Sequence, residues 1–576
     1  MDTIKSFNGY GKVDPQEELA FKRKTRKRLI ILGISLIVLV VLIIGAVVGT
    51  IVHNKNKNDS NAVPSTQTYS AAAIKGVCSV TQYQESCFTS LSSMDSSNST
   101  DPEKIFHISL KVVMDSLEKL STFPEEWMNR TKDTRVKEAL KVCKIVLDEA
   151  VDYLNDSIST MNVNNGEKLI SVPKIEDLKT WLSTIITDQE TCLDALNDAN
   201  ASLVEDVKLL MANSTEYASN SLAIVSKLLG MLGDFGFPIH RKLLGAVDSG
   251  LPAWVPAGDR RLLQEAMPQP NLTVAKDGGD VKTIKEAVAR IPKKSKTRFV
   301  IYVKAGEYVE NVILDKSLWN VMIYGDGKTA TIISGSLNFV DGTPTFSTAT
   351  FAAAGKGFIA RDIRFKNTAG AIKHQAVALR AGSDMSVFYR CSFDGFQDTL
   401  YAHSNRQFYR DCDITGTIDF IFGNSAVVLQ NCNIMPRQPL PNQFVTITAQ
   451  GKKDPNQNSG ISIQRCTMSP LDNLTAPTYL GRPWKDFSTT VIMETEIGGF
   501  LRPQGWISWV SNVDPPSSIF YAEYRNTGLG SSVADRVKWA GFKPTLTPAE
   551  ASKYSVQSLI DGASWLPDAN VVFEST

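Results

Sequence analysis

Histidine is scarce in this chain, with five in 576 residues. None stands in a His/Cys cluster of zinc-ligand spacing, and His374 and His403 have no convincing serine partner. No Gly-x-Ser-x-Gly elbow occurs either, so the usual sequence signs of a zinc or serine hydrolase are absent. Net charge is almost nil, 61 Lys+Arg against 60 Asp+Glu, which leaves no whole-chain excess to draw nucleic acid. That average hides segregation. From Gln264 to the end there are 32 basic and 28 acidic side chains, and the tail before Leu29 is also cationic, so the middle is acidic. A mildly cationic C-terminal part suits an anionic partner. Cysteine is sparse too, eight in all. Cys78, Cys87, Cys143 and Cys192 form an even set in the first half, as expected of a disulfide-permitting compartment. Cys78 to Cys87 would close a small hairpin and Cys143 with Cys192 would tie two helices, but four cysteines allow three pairings.

One long apolar run is present. Leu29 to Val52 carries no charge and is long enough to span a bilayer. It exceeds the apolar core of a cleaved signal peptide, and no clear small-residue cleavage site follows. Lys22-Arg23-Lys24-Thr25-Arg26-Lys27-Arg28 precedes it, so the positive-inside rule keeps the N-terminus cytoplasmic. Residues 1–28 are thus expected to be a cytoplasmic tail and 29–52 a signal anchor, with the rest translocated. Glycosylation sequons at Asn58, Asn98, Asn129, Asn155, Asn200, Asn213, Asn271 and Asn473 agree with a lumenal exposure.

Residues 53–70 are polar and read as a linker. Across 71–232 apolar residues recur at three- and four-residue spacing. Helices are expected over Ile105–Leu120, Arg135–Ile158, Ile175–Ala199 and Ser202–Leu229, forming an all-α four-helix bundle. Residues 233–264 are rich in Gly and Pro and carry Arg241-Lys242-Leu243-Leu244 and Arg260-Arg261-Leu262-Leu263. A basic pair repeated in one exposed linker marks it for a processing protease.

From 265 to 576 short β-branched and aromatic runs alternate with Gly, Asn and Asp, for example Phe299–Val303 and Val321–Tyr324. A loose repeat is visible in Tyr389-Arg390-Cys391, Arg410-Asp411-Cys412, Gln430-Asn431-Cys432 and Gln464-Arg465-Cys466. Repeats of this length with one short strand each suit a β-solenoid of stacked coils. Cys412 and Cys432 would fall in successive coils, near enough to pair, whereas Cys391 and Cys466 read as small apolar members of the core ladder. Thr283–Ile291 reads as a helical cap on the first coil, and the tail after Pro515 is expected to pack along the outside.

Two carboxylates stand in aromatic and apolar company: Asp398 in Gly395-Phe396-Gln397-Asp398-Thr399-Leu400-Tyr401, and Asp419 in Gly416-Thr417-Ile418-Asp419-Phe420-Ile421-Phe422-Gly423-Asn424. Such settings split pKa values, so one acid holds a proton while the other stays ionised. Leu480-Gly481-Arg482-Pro483-Trp484 adds a guanidinium and an indole. These three segments, with Val303-Lys304-Ala305-Gly306-Glu307-Tyr308, resemble the signature segments of plant pectin methylesterases from about Asn271 to the C-terminus. The helical part is similar to the pectin methylesterase inhibitor domain, so the whole resembles a precursor in which an inhibitor-like pro-domain precedes the enzyme. The resemblance implies a right-handed parallel β-helix and hydrolysis of the methyl esters of homogalacturonan. It assigns Asp419 as nucleophile, Asp398 as proton donor and acceptor, and Gln397 as transition-state stabiliser. Thr345, Gln375, Arg482 and Trp484 become substrate-contacting residues. No metal or cofactor is implied. The implied partners are pectin, inhibitor proteins including the pro-domain itself, and a processing protease; the implied location is the secretory pathway and then the cell wall.

Other assignments compete. Asp398 and Asp419 suit turn caps, and Thr345 suits any strand. A pectate lyase on the same scaffold would want Ca²⁺-binding carboxylates with a basic Arg or Lys, and a polygalacturonase closely grouped acids. A non-enzymatic wall-binding protein would not need Gln397, Asp398, Asp419 and Arg482 together.

Overall fold

The computed structural model describes residues 66–94, 99–161, 171–229, 268–569 and 571–575. The apolar run 29–52 and both basic pairs of 233–264 lie outside the described residues. Among the described residues no helix is long and apolar enough to cross a membrane.

The helical half contains α1 (Thr66–Cys78), α2 (Gln84–Ser92), α3 (Pro102–Leu120), α4 (Phe123–Arg130), α5 (Thr134–Met161), α6 (Val172–Asp198) and α7 (Val204–Ala223). The four long ones match the apolar periodicity. The three short ones go beyond a four-helix count, and α1 begins inside the stretch expected to be linker. The local chemistry of α3 shows why a helix starts where it does. Asp101 caps it by accepting from the Glu103 amide at 3.0 Å, and Pro102 follows in the first turn. Phe106, Leu110, Val113 and Leu117 then bury one face. The helix expected as far as Leu229 ends its α-helical part at Ala223 and continues as a π-helical segment, Ile224–Leu229. Cys78–Cys87 and Cys143–Cys192 are bonded, tying α1 to α2 and α5 to α6.

The C-terminal half is a parallel β-helix. Its strands form three parallel sheets of eleven, seven and eight strands among the described residues. One coil runs Ser386–Tyr389, Ser392–Asp394, Leu400–Ala402, contributing one strand to each sheet, and the next runs Arg406–Arg410, Asp413–Gly416, Ile421–Gly423. Stacking in register makes ladders of like residues: Phe365, Phe393, Ile414 and Ile434 lie side by side and fully buried. Each such side chain contributes roughly 1.5–3 kcal/mol through burial. The sequence repeat has a backbone cause. Arg390, Asp411, Asn431 and Arg465, each directly before a cysteine, all turn the chain with positive φ, 51–56°. The corner between two sheets therefore recurs at a fixed phase.

Cys391, Cys412, Cys432 and Cys466 are buried free thiols, so the pairing expected for Cys412 and Cys432 does not form. Both lie at the same corner of successive coils, between paired strands, where stacked side chains point the same way and sit about one strand spacing apart, ~4.8 Å, farther than the ~3.8 Å that bonded Cβ atoms need. The Cys412 and Cys432 thiols instead donate to backbone carbonyls.

Thr283 caps Ile284–Val288 through a reciprocal capping box with Glu286, and Ile284 and Ala287 close the first coil. The tail after Pro515 does more than pack outside. Phe520–Tyr524 and Phe542–Lys543 extend the eleven-stranded sheet. Only the later part, with Val556, Ile560, Trp565 and Leu566, covers that sheet's outer face.

Candidate active site

Asp398 and Asp419 occupy equivalent places in successive coils. Each lies two residues before a strand of the seven-stranded sheet, and those strands pair Leu400 with Ile421. The Asp398 amide donates to the Ile418 carbonyl at 3.0 Å, joining the two loops. The carboxylates thus sit about one strand spacing apart, ~4.8 Å at the backbone. Both residues take left-handed backbone conformations, φ 62° and 50°, which Asp tolerates better than most residues do. Local strain of this kind is found where a side chain must be aimed.

Their surroundings differ. The Arg482 guanidinium grips Asp419 with Nε at 2.9 Å from Oδ1 and Nη2 at 2.6 Å from Oδ2. Thr446 donates to Asp419 Oδ1 at 2.6 Å and accepts from the Asp419 amide at 2.9 Å. Burial opposes the charge of Arg482, yet hydrogen bonding and attraction to Asp419 outweigh it and raise its pKa. Asp398 lacks such a grip. Burial first, then repulsion from Asp419 and Asp198, pushes its carboxyl well above the ordinary range, against the pull of Arg482. One acid is built to hold a proton beside a clamped anion.

Both face a cavity of about 330 Å³, also lined by Thr345, Gln375, Gln397, Arg482 and Trp484. The structure therefore brings every substrate-site residue named from the sequence to one place. It adds four aromatic residues with no earlier assignment: Phe346, Tyr401, Phe422 and Trp509. Tyr401 stacks on Phe422 at 4.2 Å, and Trp484 lies against Trp509 at 6.2 Å. Trp484 packs on Gly451, where a Cβ would come within 2.8 Å of the indole. Tyr401 and Phe422 stand inside the motifs, three residues after each Asp, so their spacing was the available signal.

The opposite wall comes from the helical half. Within the compact unit Tyr69–Thr576, α6 lies over the cavity and lines it with Thr191, Asp194, Ala195, Asn197 and Asp198. Asp198 accepts from Thr345 at 3.1 Å. Burial raises its pKa to about 6, although that hydrogen bond pulls the other way. Thr180, Thr184, Thr187 and Thr191 form a buried stripe on α6, and Thr184 and Thr191 reach Asn405 and His403 at 2.9 Å. His403 is buried, with its pKa down to about 3, and it also touches Ser404 at 3.1 Å. It serves the contact between the halves. Charge follows the segregation seen in composition: Lys485 meets Asp194 at 2.6 Å, Arg406 meets Asp177 at 2.7 Å and Lys316 meets Asp152 at 2.8 Å. The anionic partner of the cationic half is, in this structure, its own acidic half. The threonine stripe stands at helical spacing; what it packs against was not legible in the sequence.

Comparison with known proteins assigns a family to each half. Residues 271–563 match the family model described as Pectinesterase. Residues 72–224 match that of the plant invertase/pectin methylesterase inhibitor. Pectinesterase 3 of Phaseolus vulgaris is 59% identical over 100% of both chains. Pectinesterase 1 of Arabidopsis thaliana is 60% identical over 99% of both. The solved pectin methylesterase from carrot is 51% identical, with a TM-score of 0.52, covering 54% of this chain and 99% of its own. With these matches spanning both halves, the chain belongs to the pectinesterase family and carries an inhibitor-like helical domain ahead of its β-helix.

Proposed function

We propose that the chain hydrolyses methyl esters of homogalacturonan to carboxylates and methanol, with Asp419 as nucleophile and Asp398 as acid and base. The observation that carries this reading is the unequal pair: Asp419 clamped by Arg482, and Asp398 buried one coil away with a raised pKa. Asp419 attacks the ester carbonyl carbon. The resulting oxyanion accepts hydrogen bonds from the amides of Gln397 and Gln375. As the tetrahedral adduct collapses, methanol leaves with the proton of Asp398. Asp398 then takes a proton from water, which attacks the acyl group and frees Asp419. Trp484 offers an apolar face to a sugar ring, and Thr345 and Arg482 contact the substrate. The β-helix, cut free of the helical half, should release methanol from esterified pectin without shortening the polymer. Chain shortening would instead indicate a lyase or glycosidase.

The helical half keeps the enzyme closed in the precursor, since α6 stands where a polymer would cross the two acids. A protease cutting in 233–264 opens it, the 29–52 segment anchors the precursor to a membrane of the secretory pathway, and the freed enzyme acts in the cell wall. Separate inhibitor proteins of the same helical type would dock on the same face.

Docking should depend on pH. Asp198 has a raised pKa only when docked, so its contribution is complete below its ordinary value of 3.8 and is lost as pH rises through about 6. Asp177, Asp188, Asp194 and Glu149, all raised by burial, act in the same direction. After a cut in 233–264, the halves should co-elute on size exclusion near pH 5 and separate near pH 7. Asp198→Asn should shift that separation upward; an unshifted profile would contradict the role given to Asp198.

A further inference from the structure

We propose that Arg380 is a specificity residue of the substrate groove, binding a free carboxylate on a uronate sugar near the reacting ester. The inference rests on the esterase reading above and deepens it. Arg380 lies on the strand Leu379–Ala381 of the seven-stranded sheet, between Ala352 and Tyr401 in register. Tyr401 lines the cavity of the two acids, so Arg380 stands one strand from the reacting centre. The helical half packs over Ala352 and Tyr401, and leaves Arg380 5% exposed.

Buried as it is, Arg380 has an Nε and an Nη1 with no hydrogen-bond partner among the described residues. The guanidinium is held by stacking, its carbon 3.5 Å from the centroid of the Phe346 ring, and Phe346 also lines the cavity. A planar donor fork fixed on an aromatic face and left with free N–H groups is preorganised for a planar carboxylate. Carboxylates are what the helical half brings. Glu149 of α5 and Asp188 of α6 act on Arg380 electrostatically, and both oxygens of Asp188 lack a hydrogen-bond partner among the described residues. Lys316 acts on the same two acids. The helical half thus presents carboxyl groups to Arg380 without completing the fork that Arg406 makes with Asp384, where Nε and Nη2 donate at 2.9 and 2.7 Å. Its acids stand in for a polymer whose own carboxylates would complete that fork.

The free β-helix is the form to use, because the carrot chain corresponds to that half alone. Methanol release should be measured on fully esterified pectin and on pectin partly de-esterified with alkali, for the parent and for Arg380→Gln. The ratio of kcat/KM on the second substrate to that on the first should fall about tenfold in the variant, mainly through KM. An unchanged ratio would overturn the proposal. A second measurement needs no variant. A fully de-esterified oligouronate should inhibit the parent, less so as salt rises, and absence of inhibition would also overturn it. Failure of the parent to release methanol from either pectin would instead refute the esterase reading.

Discussion

Replacing Asp419 with asparagine is expected to lower kcat for methanol release at least about a thousandfold, because it removes the attacking carboxylate. Asparagine is the informative substitute. It accepts the left-handed backbone that φ of 50° imposes, and it keeps a group that can accept from Thr446. Alanine would add backbone strain and blur the result. Asp398→Asn is expected to lose about 10²–10⁴-fold, the range typical of a missing general acid and base. The two losses should not add when combined, since they remove parts of one reaction sequence. Residual activity in Asp419→Asn within tenfold of the parent would exclude Asp419 as nucleophile.

Cutting the chain within 233–264 and separating the halves is expected to raise methanol release at least about a hundredfold over the intact precursor. The expectation follows from α6, which places Asp194 and Asp198 in the wall of the cavity and engages Lys485 and Thr345. A substitution on the helical side gives the same result by another route. Asp194→Lys sets a like charge against Lys485 at a part-buried contact, turning an attraction into a repulsion. The uncut variant should therefore be active where the uncut parent is not. Equal activities of cut and uncut parent would show that the helical half does not close the site.

The motifs around Asp398, Asp419 and Arg482 were legible through their resemblance to the signature segments of a known family; that Asp398 and Asp419 stack in successive coils is a finding of the structure. The coil repeat made the Cys391, Cys412, Cys432 and Cys466 ladder readable. It also misled, since stacked side chains run parallel and do not converge, which leaves Cys412 and Cys432 unbonded. Helices α3, α5, α6 and α7 were visible from their apolar spacing. The threonines of α6 were passed over, since nothing local says that Thr184 and Thr191 meet Asn405 and His403 more than 200 residues away. Arg380 was passed over for a related reason. Its meaning comes from Phe346, Glu149 and Asp188, which no short motif connects to it.

The covalent step is the centre of this account, and trapping it is the most direct test. The free β-helix should be mixed with a methylated oligouronide, quenched in acid within one turnover, and analysed by peptide mass. The account predicts one methanol released per enzyme in a burst, and an acylated oligouronide on the peptide containing Asp419. Rapid methanol release with that peptide never modified, and undiminished in Asp419→Asn, would contradict it.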